Sequence, residues 1–211
     1  RAAQPADFRP GNTSMKHVAM LLWTSEKQEG VGKSLFSVLQ MAIRDDAEPM
    51  ITSAAMLARC INELCVNPAK PPGFDVLRQS RIARKSVYRG TGWDSSHRGF
   101  FREGVKYRSP GYVATSLSRA VAARFVGDDG TDEHAMWTFL MQADLEMYNA
   151  SLVQRTHFAA EQEYLFTPYS VFTVSDVNWR AGTAAEPHEI TVIASPDNTQ
   201  EPEDLPLAPW G

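Results

Sequence analysis

Glu161-Gln162-Glu163-Tyr164-Leu165-Phe166 is the stretch on which the reading of this chain turns. Two carboxylates stand two residues apart, at the head of an apolar run that closes at Pro168. The run reads as a strand, and strand alternation places Glu161 and Glu163 on one face. Like charges so close repel and lose hydration, so stability alone gives little reason for the pair. Two carboxylates facing one cleft suit a reaction in which positive charge develops on a sugar carbon while a second group is oriented beside it. A solvated strand edge with two glutamates would read the same way, so the rest of the chain has to decide.

The 211 residues suffice for one good core with a small helical annex. Hydrophobic residues make up 43% and charged residues 22%, the make-up of an ordinary globular domain. A net charge of -4 and a pI near 5.7 argue against wholesale binding to nucleic acid or to a membrane surface. No apolar run approaches the ~20 residues of a membrane span. The polar, proline-bearing first ten residues do not read as a signal peptide. Cys60 and Cys65, on one helix, would lie ~7.5 Å apart along its axis and point in different directions, which disfavours a disulfide.

Outward from the glutamates, the chain divides into helical and strand-rich parts. Residues 1–16 read as a loose arm. His17-Val-Ala-Met-Leu-Leu-Trp23 is an apolar run open to either strand or buried helix. Glu29-Gly-Val-Gly-Lys-Ser34 looks like the end of a phosphate-binding loop, but that loop needs a glycine where this chain has Lys27. Leu35, Val38, Leu39, Ala42 and Ile43 recur at helical spacing from Ser34 onward, and Leu57, Cys60, Ile61, Leu64 and Cys65 do so over 51–66. Pro71-Pro72-Gly73 marks a linker.

Beyond the linker, strands are predicted at 86–89, 112–116, 135–142, 163–166, 171–174 and 189–193. A short helix capped by Ser118 runs to Phe125, with Val121, Ala122 and Phe125 inward. The tail, 195–211, holds four prolines and four acids and reads as extended and weakly packed. One domain over 17–194 results, with a helical lobe at 17–80 and a β core at 81–194.

Three segments carry the functional reading: Tyr88-Arg89-Gly90, then Tyr112-Val-Ala-Thr-Ser-Leu-Ser118, then Phe158-Ala-Ala-Glu161-Gln-Glu163. In this order and spacing they resemble the Arg–Ser–Glu branch of the mono-ADP-ribosyltransferases, shared by clostridial-type toxins and animal arginine-specific enzymes. The resemblance spans roughly residues 34 to 194. It implies an α+β ADP-ribosyltransferase-like fold, a helical N-terminal lobe packed on two short mixed β-sheets with NAD in the cleft. It implies transfer of ADP-ribose from NAD to an arginine of a target protein, with release of nicotinamide and without a metal. A monomer acting as a secreted effector or toxin fits the family's habits.

The same resemblance assigns residues. Glu163 accepts a hydrogen bond from the nicotinamide-ribose 2′-hydroxyl and stabilises the charge that develops there. Glu161 marks arginine specificity, because a guanidinium needs a carboxylate to orient and partly deprotonate it. Arg89 offers a fork of donors to the pyrophosphate. Gly90 holds the nicotinamide carboxamide through its backbone. Thr115 and Ser116 fall to cofactor binding, with Ser116 also among the catalytic residues; Arg124 and Phe125 reach the nicotinamide phosphate side, and Phe158 faces the acceptor protein.

One position departs from the pattern. The family has Ser-Thr-Ser in the second segment, its first serine touching the catalytic glutamate, and here that position is Ala114. Alternation puts Ser116 on the same face, from which it is expected to take over part of the contact. Two rival readings follow: a NAD glycohydrolase in which water replaces arginine, and a non-catalytic binding module of the same fold. The basic run of Arg78, Arg81, Arg84, Lys85, Arg98, Arg102, Lys106 and Arg108 reads as a solvated face. The five histidines lack metal-ligand spacing.

Overall fold

The computed structural model of the chain describes residues 15–25, 35–44, 48–66, 86–127, 131, 133–142, 147–153 and 156–210. The expected arm (up to residue 14), the phosphate-loop-like stretch at 29–34 and the linker at 71–73 lie outside the described residues, while Met15 and Lys16, read as part of the arm, already belong to a helix.

Apolar spacing sets the helical lobe. The run from His17, open between strand and helix, lies in α1 (Met15–Trp23). It is followed by α2 (Leu35–Arg44) and α3 (Glu48–Val66). Each turns one stripe inward: Ala19, Met20 and Trp23, then Leu39 and Ala42, then Ala54, Ile61 and Cys65. Tyr112, Val153 and Leu165 of the β half close this smaller core. Cys60 and Cys65 are not joined in a disulfide.

Among the described residues eight strands form one sheet in the order β2-β7-β8-β4-β1-β3-β6-β5. They are β1 (Ser86–Trp93), β2 (Lys106–Arg108), β3 (Val113–Ser116), β4 (Glu133–Leu140), β5 (Ala150–Leu152), β6 (Glu163–Phe166), β7 (Val171–Asn178) and β8 (His188–Ala194). Among these strand pairs β4 and β8 run parallel and the others antiparallel. The two sheets expected from sequence are joined at a seam. β1 meets β4 from Ser86↔Leu140 to Trp93↔Glu133, yet meets β3 only at Tyr88↔Ser116. Where β1 and β3 splay, a cleft opens.

Several elements differ from the sequence reading. β1 runs on to Trp93 because β4 supplies a partner along its whole length. β2 and β5, three residues each, are too short to show a period and were not expected. Ser118 does cap a helical turn, α4 (Arg119–Ala122), which tightens into a 3-10 turn at Ala123–Phe125. Val121 and Ala122 are buried, but Phe125 is 46% exposed and is not an inner-face residue.

The tail is not weakly packed, as its prolines and acids suggested. Arg108, expected on a solvated face, is buried. Its guanidinium donates to the carbonyls of Tyr169, Asn198, Glu201 and Pro202, at 2.7 to 3.4 Å. Lys106 pairs with Glu201 at 2.8 Å, and Trp210 stacks on Phe101 at 5.0 Å. An arginine's fixed donors thus collect the tail's unpaired carbonyls, which composition cannot foretell. The main core, around Trp93, Phe101, Trp137, Phe139 and Phe172, lies beneath.

Candidate functional site

The cleft at the seam has a volume of about 300 Å³. Its walls bring together Arg89 and Gly90 of β1, Thr115 and Ser116 of β3, Phe125 after α4, and Phe158, Glu161 and Glu163. Of the candidate site residues singled out in the sequence, Arg124 alone is absent from the walls; it is exposed. Trp23, Thr24 and Ser25 at the end of α1, with Phe36 of α2, form a wall that sequence reasoning missed. Nothing in the local pattern of α1 links it to residues some 140 positions away.

The two glutamates converge by a different route from the one expected. Glu161 closes a 3-10 turn (Ala159–Glu161), and β6 begins only at Glu163. Between them Gln162 is left-handed, with φ 48°. That reversal, rather than strand alternation, aims both carboxyls into the cleft.

Ser116 does not take over the missing serine's contact. Its hydroxyl donates to the backbone carbonyl of Glu161 at 2.6 Å and accepts from the Ser118 N–H at 3.0 Å. It therefore ties the turn carrying Glu161 to the end of β3. The Thr115 hydroxyl is likewise engaged, donating to the Tyr164 carbonyl at 2.6 Å. Glu163 instead receives its hydrogen bond from Trp23, whose Nε1 lies 2.9 Å from Oε1.

Arg89 bridges the seam, donating from Nη1 to the Ala114 carbonyl at 2.8 Å. Burial lowers its pKa and the charge of Glu163 opposes that, leaving the guanidinium a cation. Past Arg89 a second cavity of about 320 Å³ opens, which Gln40, Arg44, Asp94 and His97 help to line. At Gly90 a side chain is excluded. A Cβ there would fall on the Ala122 carbonyl oxygen and 2.7 Å from Val126 Cγ2, so the glycine lets α4 lie directly on β1.

Burial pushes the Glu163 carboxyl up to about 7, and the charge of Glu161 adds to the rise. The Trp23 hydrogen bond and the Arg89 charge pull the other way without restoring an ordinary value. Burial raises Glu161 as well. A buried carboxyl with a raised pKa, beside a second carboxyl and a buried cation, marks this cleft as the candidate site for chemistry.

No protein-family model matches the chain, and no curated protein matches it. Solved structures do. The ADP-ribosyltransferase Vis, a toxin from Vibrio splendidus, aligns with a TM-score of 0.62 at 15% identity, over 87% of this chain and 73% of its own. Exoenzyme S from Pseudomonas aeruginosa, solved with human 14-3-3 protein beta and carba-NAD, gives 0.56 at 14% identity, over 90% and 79%. HopU1 of Pseudomonas syringae, also an ADP-ribosyltransferase, gives 0.57 at 15% identity, over 85% and 76%. At this level of identity the likeness is one of fold. The chain has the α+β ADP-ribosyltransferase-like fold.

Proposed function

We propose that the cleft transfers ADP-ribose from NAD to an arginine side chain of a target protein, releasing nicotinamide. The observation that carries this reading is the convergence of Glu161 and Glu163 on one wall of a cleft that also holds Arg89, in this fold. The structural relatives support it: Vis and HopU1 are ADP-ribosyltransferases, and exoenzyme S was solved with carba-NAD. The cavity beyond Arg89 provides space for the remainder of a dinucleotide.

NAD is the donor substrate, and the chain's own groups divide the work. Arg89 sits between the two cavities, where a fixed fork of donors meets the pyrophosphate. The Gly90 backbone and the Phe125 ring flank the nicotinamide. Glu163 accepts a hydrogen bond from the ribose 2′-hydroxyl and faces the positive charge that grows on the ribose carbon as its bond to nicotinamide breaks. Glu161 accepts a proton from the acceptor guanidinium, whose freed nitrogen pair forms the new bond to that carbon. Ser116 acts through Glu161, by holding its turn. Phe158, beside Glu161 at the mouth, meets the acceptor protein. Arg124, exposed and off the cleft walls, is given no role.

Labelled NAD supplied with an arginine-bearing protein, or with a small guanidine such as agmatine, tests the reading. The native chain forms the adduct. Free ADP-ribose alone would favour hydrolysis, and bound NAD with no nicotinamide released would favour a binding module.

A further inference from the structure

We infer that Trp23 is the positioning residue for Glu163, its indole N–H supplying from the helical lobe the hydrogen bond that Ala114 cannot supply from β3. The inference rests on the transferase reading above, which makes Glu163 the carboxylate at the reacting ribose.

Four observations carry it. First, Trp23 Nε1 donates to Glu163 Oε1 at 2.9 Å, and among the described residues no other group donates to that carboxylate. Second, the hydroxyls nearest in sequence are committed elsewhere, Thr115 to the Tyr164 carbonyl and Ser116 to the Glu161 carbonyl.

Third, the indole has no freedom to swing away. Trp23 is 4% exposed and packs edge-on against Phe36 of α2, centroids 4.6 Å apart, and against Tyr112 at 4.8 Å. Tyr112 is itself pinned: its hydroxyl donates to Ala58 and Asn62 of α3, and its backbone exchanges hydrogen bonds with the Gln40 side chain of α2. Fourth, α1 is tied to the catalytic turn by a second link. The His157 N–H donates to Thr24 Oγ1 at 3.3 Å, just ahead of Phe158 and Glu161.

An indole N–H is a donor only, so it can serve a carboxylate but not a carboxylic acid hydroxyl proton. Bound at one oxygen, it leaves the other to face the substrate, and the rigid box around the ring holds the carboxyl at one angle. The charged groups that share the cleft with Glu163 are Arg89 from β1 and Glu161 from its own turn. Neither is hydrogen-bonded to it, so neither fixes its orientation as the indole does.

The test removes the N–H and keeps the ring. Two variants serve: Trp23→Phe, and a tryptophan isostere with sulfur in place of the N–H, installed at position 23 alone. Nicotinamide release is followed against pH, and the Glu163 carboxyl is titrated directly by carbon-13 NMR. We expect kcat to fall roughly ten- to a hundredfold with KM for NAD little changed, since one hydrogen bond to a charged group is lost. The acid limb of the rate profile and the carboxyl titration both move to higher pH, because the charged form has lost its donor.

Unchanged kcat and an unmoved acid limb would overturn the inference. So would a loss of kcat with neither titration moved, which would make Trp23 a packing residue. A native chain that releases no nicotinamide would instead overturn the transferase reading, separately from the indole's hold on Glu163, which the NMR titration still reads.

Discussion

Glu133 on β4 and Glu163 on β6 are glutamates at strand ends, each near an arginine and a ring N–H, and their environments are opposite. At Glu133, burial pushes the carboxyl up, but hydrogen bonds from Arg98 (2.7 Å) and His188 (3.2 Å) outweigh it and hold the group low. The Arg180 N–H donates to His188 Nδ1, leaving Nε2 to donate to Glu133, and Arg98 also lies over the Trp179 ring. At Glu163, the lone indole and an arginine that bonds elsewhere fail to offset burial, and the carboxyl is held near 7. Satisfied charge anchors β4 to β8; underserved charge is kept where it can act on something that enters the cleft.

The largest expected contrast is in turnover. Glu163→Ala should remove nicotinamide release to the limit of detection, a loss of roughly a thousandfold or more, whereas Glu133→Ala should leave kcat within about twofold. Equal losses in labelled-NAD assays would erase the distinction between the two carboxylates. Within the cleft, Glu161→Gln should abolish transfer to agmatine yet leave NAD hydrolysis, which chromatography of the products resolves.

Proton dependence sharpens the same comparison. If charged Glu163 is required, kcat/KM for NAD should fall roughly tenfold per pH unit below about 7. The flat acid profile expected if Glu163 titrated like a free glutamate would contradict its burial-driven shift. Stability should move in the opposite sense. Because folding raises the Glu163 pKa from 4.5 to about 7, its charge opposes folding progressively as pH rises through that window. Glu163→Gln keeps an acceptor for Trp23 and should stabilise the chain above pH 7 by on the order of 3 kcal/mol. The gain should shrink as pH falls and vanish below about 4.5.

Glu133→Gln should destabilise, by about 1 kcal/mol or less for so accessible a pair. Its pKa is held low in the fold, so this loss is present above about pH 4.5 and closes as acid protonates the native carboxyl. Denaturant melts of both variants at two pH values would show whether the signs are opposite.

How much of this was legible from the residues varies with the range of the interaction. α2 and α3 follow from a period of 3.6, and the strand of Tyr164, Leu165 and Phe166 from a short apolar run, both local properties of the chain, whereas the α1 run fitted strand and helix alike. Arg89, Gly90, Ser116, Glu161 and Glu163 were identifiable by type and order, and all five line the cleft. The geometry joining the glutamates was not, since only a left-handed Gln162 distinguishes a turn from one more strand residue. The tail was misread because its partner is Arg108, some ninety positions earlier.

By itself, then, the amino-acid order determined which groups were available: two acids, one arginine, one glycine, and an alanine where a hydroxyl is usual. Tertiary structure alone decided their state. Burial set the Glu163 carboxyl near 7, α4 made a side chain at Gly90 impossible, and the packing of Trp23 against Phe36 of α2 and Tyr112 held it beside Glu163. The reason is physical: desolvation and hydrogen-bond partnership depend on what lies within a few ångströms in space, and no spacing along the chain encodes a neighbour that the fold brings from the opposite end.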